Sequence, residues 1–111
     1  MNKKVTLIKM IMENEITISL KGADLRYANL EGANLKHADL GGADLDYSVM
    51  PLWCGDLMAN YDDKQIIQQL YHVMSHIKNS KNATKKVKKL LEIKSIITLA
   101  NEMHRKDVER I

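Results

Sequence analysis

The chain has 111 residues, 45% of them hydrophobic, and 17 Lys and Arg against 14 Asp and Glu give it a net charge of +3. That length accommodates one small domain or a repeat module with capping elements. With no Phe and one Trp, its core must be built from Leu, Ile, Ala and Met. A single cysteine, Cys54, excludes an internal disulfide and fits a reducing cytosol. The apolar run Val5–Met12 is cut by Lys9 and is too short to cross a bilayer.

In chain order, residues 1–17 read as an N-terminal cap. Leu7, Ile8, Ile11 and Met12 fall on one face of a short helix after a Thr6 cap, with a strand over Lys4–Ile8 as the alternative. Residues 18–57 then carry a five-residue repeat: Ala23-Asp24-Leu25, Ala28-Asn29-Leu30, Ala33-Asn34-Leu35, Ala38-Asp39-Leu40 and Ala43-Asp44-Leu45. A period of five fits neither the 3.6 of a helix nor the 2.0 of a strand. Each unit must therefore turn a corner and bury its apolar positions against the units stacked above and below. The degenerate units Ile18–Gly22 and Ser48–Leu52 keep the same inward phase.

These residues resemble the pentapeptide-repeat family. The resemblance implies a β-solenoid, a short right-handed quadrilateral β-helix of under two coils, with Leu and the Ala two places before it pointing inward. Four units per coil would set residues twenty apart over one another: Arg26 over Asp46, Tyr27 over Tyr47, Asp24 over Asp44. The Asp or Asn before each Leu then faces solvent. So short a solenoid needs caps at both ends. Gly55 cannot fill the next inward position, so the coil is expected to end after Leu52, with Trp53 as a plug. The Pro51-Leu52-Trp53-Cys54-Gly55 string resembles a junction in short phage and prophage members of the family.

Residues 58–111 read as a helical region. Asp62 suits an N-cap and Asp63 the first turn of a helix whose apolar stripe is Ile66, Leu70, Val73, Met74 and Ile77. Lys78–Asn82 ends it, and Thr84 can cap a second element carrying Val87, Leu90 and Leu91. Whether residues 84–104 form one helix or two stays open, so a helical hairpin or a three-helix segment is expected as the C-terminal cap. Charge divides the same way: Ile18–Asp63 holds three bases and eight acids, net −5, and Lys64–Ile111 eleven bases and four acids, net +7.

No catalytic group is evident. None of His37, His72, His76 and His104 has a spacing that ties it to Cys54, and His72 and His76 lack the intervening Glu of the zinc-protease pattern. Gly41-Gly42 lies inside a pentapeptide, away from any strand-to-helix phosphate loop. No enzyme activity, cofactor or metal is expected. The residues best suited to bind a ligand or partner are Trp53, Tyr61, Tyr71, His72, Lys85 and Lys86, with Tyr27 and Tyr47 as an aromatic ladder. The resemblance implies a non-enzymatic, cytoplasmic, phage-type protein that inhibits a host defence factor by occluding it. Alternatives are a sponge for a nucleotide signal, which the aromatic and basic residues could stack on and neutralise, and an assembly module dimerising through an exposed edge. Expected partners are thus a host protein or small nucleotide and a second copy, but not nucleic acid or a membrane.

Overall fold

The structure, a computed structural model, describes Ile8, Ile11 and residues 19–52 and 54–111. It divides into two compact units, Met1–Asp62 and Asp63–Ile111. The N-terminal cap expected over residues 1–17 lies outside the described residues except for Ile8 and Ile11, both helical, with Ile11 buried in the repeat core. Trp53, expected as a plug, also lies outside them.

The expected quadrilateral β-helix is not what the repeat forms. No strand and no sheet occur among the described residues. Parallel pairing is confined to three isolated bridges, Asp24 to Asp44, Asn29 to Val49 and Asp39 to Asn60. The reason lies in how each pentad is used. The amide of Ala23 donates to the Leu20 carbonyl at 3.0 Å, and the same four-residue turn recurs at Leu25–Ala28, Leu30–Ala33, Leu35–Ala38, Leu40–Ala43 and Leu45–Ser48. A turn that takes four residues of five leaves one extended residue, the Asp or Asn, which is enough for a bridge and too little for a strand.

Tiers of turns are joined by main-chain hydrogen bonds between residues about twenty apart, including Leu20 N to Asp39 O, Leu25 N to Asp44 O and Leu30 N to Val49 O, at 2.8–2.9 Å. They seal a core of Leu20, Leu25, Leu30, Leu35, Leu40 and Leu45 with Ala28, Ala33 and Ala43. Stacking does not stop at Leu52. Leu35 N donates to Gly55 O, His37 N to Met58 O and Leu40 N to Asn60 O, while the Asp62 carboxylate accepts from Gly42 N at 2.6 Å. The offset shifts across these bonds, so residues 54–58 form a looser turn and the tier resumes at Asn60.

The second unit has three helices, α1 (Asp63–Asn79), α2 (Lys85–Lys88) and α3 (Lys94–Ala100), with a 3-10 turn, Lys89–Glu92, after α2. Thr84 caps α2, its hydroxyl accepting from Val87 N at 3.4 Å, and an extended Ile93 separates the 3-10 turn from α3. Expected as a cap for the repeat, these helices close a core of their own: Met74, Ile77 and Ala100, with Leu70, Leu91, Ile96, Ile97 and Ile111 against it. The predicted stripe on α1 is only partly used, since Ile66 and Val73 are exposed. At 1.5 Å per residue α1 is about 25 Å long and α3 about 10 Å, too short to cover it. The tail folds back on the helices, with the Tyr71 hydroxyl donating to Glu109 O and Asn101 bonded to both the amide and the main-chain oxygen of Ile111.

Candidate functional site

Every turn of the repeat has a positive φ at its third residue: Gly22 71°, Tyr27 63°, Gly32 78°, His37 65°, Gly42 71° and Tyr47 61°. A turn with that sign suits glycine, which alone lacks the Cβ that makes the conformation costly. Glycine alternates here with Tyr, His and Tyr. Each of the three side chains costs roughly 1–2 kcal/mol at such a position.

The residue before each Leu tightens the turn. Its side-chain oxygen accepts from the amide two residues on: Asp24 from Arg26, Asn29 from Glu31, Asn34 from Lys36, Asp39 from Gly41 and Asp44 from Asp46, at 3.0–3.2 Å. Asp24, Asn29 and Asn34 are exposed, as the sequence predicts, and Asp39 and Asp44 partly so; all five are also structural, since a short polar side chain supplies the acceptor that the turn's amide needs.

Two tiers of this scaffold bring Tyr27 and Tyr47 face to face, with ring centroids 4.8 Å apart and planes within 5°. They are 71% and 57% exposed. Beside them Arg26 grips Asp24 through Nε at 3.0 Å and Nη2 at 3.2 Å and reaches Asp44 at 3.8 Å. The hydrogen bond that Arg26 donates to Asp24, then the Asp24 charge, raises the guanidinium pKa further, so Arg26 stays charged. The corner is therefore an exposed patch of two stacked phenol rings beside an ion-paired cation.

The remaining expected site residues divide between the units. Tyr61 lies in the repeat unit, half-buried, its hydroxyl donating to Asp56 at 3.0 Å. Burial, then the Asp56 charge and hydrogen bond, push its pKa well above the ordinary phenol range. In the helical unit, Tyr71 and His72 meet edge-on at 6.3 Å, and the exposed His72 and His76 rings lie 6.4 Å apart. Lys85 and Lys86 are exposed on α2. No group of three or more His, Cys, Asp and Glu that could hold a metal occurs among the described residues. The repeat unit also has an open cavity of about 410 Å³ lined by Asn34, Lys36, Cys54, Gly55, Leu57 and Met58, at the loosened turn. Sequence reasoning missed Arg26 and His37 as candidates, although the Gly-Tyr-Gly-His-Gly-Tyr series at every fifth position carries that signal.

The class these features define is a turn-built repeat scaffold with an attached helical unit. Residues 18–49 match, in eight copies, the family model described as pentapeptide repeats. Comparison with curated proteins and with solved structures gives no significant match. No helix among the described residues is long and apolar enough to cross a membrane.

Proposed function

We propose that the protein is a binding module that acts without chemistry, by covering a protein partner with the Tyr27–Tyr47–Arg26 corner. One observation carries this reading: two exposed tyrosines occupy strained positions that glycine fills elsewhere in the same repeat. Stacking contributes roughly 0.5–1.5 kcal/mol, against roughly 1–2 kcal/mol of strain for each ring. The fold thus gains nothing from tyrosine that glycine would not give. A partner would gain much, because Tyr and Arg dominate binding hot spots and rings already held in place lose little entropy on binding.

The finer reading follows the Pro51–Gly55 junction: a phage-type, cytoplasmic accessory protein whose target is a host defence factor. Sequestration of a nucleotide signal ranks second, supported by the exposed lysines of α2. Native mass spectrometry of protein purified gently from a host lysate tests the choice. The proposal expects a second polypeptide in fixed stoichiometry. A nucleotide-sized excess mass, released intact on denaturation, would overturn it in favour of sequestration.

A further inference from the structure

Between Lys78 and Lys94 the chain carries seven lysines and one acid, Glu92. Four of those lysines, Lys85, Lys86, Lys88 and Lys89, stand exposed on two short turns. The same turns expose Val87 and Leu90, with Ile93 exposed as the extended residue that follows them, while Leu91 packs on the helical core and anchors them. As α2 tightens into the 3-10 turn, residues three apart come into line. Val87 and Leu90 then share one apolar row, with Lys86 and Lys89 in the row beside it.

We infer that this element is a docking surface for an anionic lipid bilayer. Exposed aliphatic side chains rimmed by long lysines suit a membrane interface, where the apolar row enters the headgroup region and the ammonium groups reach up to lipid phosphates. Clusters of four to eight basic residues on such an element bind anionic leaflets. A nucleic acid fits less well. Its backbone offers nothing to the apolar row, and residues 78–94 hold neither an arginine to fork onto phosphate nor an aromatic ring to stack on a base. The surface belongs to the helical unit and is independent of the tyrosine corner, so it adds a place of action to the proposed binding role.

Sedimentation of the full chain with vesicles tests it, using phosphatidylcholine alone and phosphatidylcholine mixed with phosphatidylglycerol. Binding is expected only to the mixed vesicles, and weakening with added salt. Each of K85Q, K86Q, K88Q and K89Q should lower partitioning roughly fivefold, and a Val87→Ser, Leu90→Ser variant should lower it at unchanged lysine charge. Both sets alter exposed residues, and an unchanged far-UV circular dichroism spectrum will show that the helices persist. Failure to bind, equal binding to neutral vesicles, or binding indifferent to the Val87 and Leu90 changes would overturn the inference. So would duplex DNA displacing the protein at stoichiometric amounts, which would reassign the lysines to a nucleic acid.

Discussion

The two units reach stability by opposite routes. In the repeat unit the main chain does the work: similar turns, each with its own side-chain acceptor, stack about twenty residues apart around a column of Leu and Ala. The helical unit has little periodic backbone pairing beyond α1, and its short pieces are held by a small apolar cluster and by ties from Tyr71 and Asn101 to the tail. The contrast teaches where variation is tolerated. A repeat constrains its inward and turn positions and frees its corners to carry a binding surface, whereas the helical unit depends on a few individual contacts.

The largest expected effect comes from the column. Leu35→Ala, at a fully buried position, should cost about 2–5 kcal/mol, read by urea denaturation and by faster amide exchange across residues 20–60. A cost under 1 kcal/mol would break the claim that the column closes this unit. Next come the corners, where the sign of φ predicts opposite outcomes. Gly42→Ala should destabilise by about 1–2 kcal/mol although its new Cβ would come no nearer than 3.8 Å to Gly22 N, and His37→Gly should stabilise by about 1 kcal/mol. Thermal melts that moved both variants the same way would refute turn strain as the governing factor.

In the helical unit, Asn101→Ala removes both bonds to Ile111 and should cost about 1–2 kcal/mol. Hydrogen exchange at residues 102–111 should rise with it. The smallest effect depends on pH. Tyr61 has a raised pKa in the folded state, so its stabilising contribution is complete below the unfolded phenol value of about 10 and is lost as pH rises above it. Tyr61→Phe should flatten that part of the stability curve, and an unchanged alkaline slope would remove Tyr61 as its cause.

Much of this architecture was legible before the structure. Five residues per unit announced the corners, and the twenty-residue spacing paired Tyr27 with Tyr47. Periodicity did not reveal how each pentad is spent. The Leu20–Ala23 turn consumes four residues, so the extended segments needed for a β-helix never form, and Asp24 and Asn34, polar and outward as the pattern predicts, also accept from a backbone amide, which the pattern does not disclose. Stacking is expected to end after Leu52 because Gly55 cannot fill a core position. Extra residues in a loose turn let Asn60 rejoin the tier instead. On α1, Ile66 and Val73 match the apolar stripe, but a stripe cannot disclose how short its partners are. The tyrosine corner was visible as a pair, while its meaning came from the backbone sign at positions 27 and 47.

That sign also supplies the most direct test of the central claim, the double variant Tyr27→Gly, Tyr47→Gly. Glycine accepts the turn at both positions, so the thermal midpoint should hold or rise while the rings disappear. Native mass spectrometry of this variant beside the parent chain should then find the partner polypeptide on the parent and none on the variant. Equal partner occupancy on both, with the variant folded, would contradict the assignment of binding to this corner.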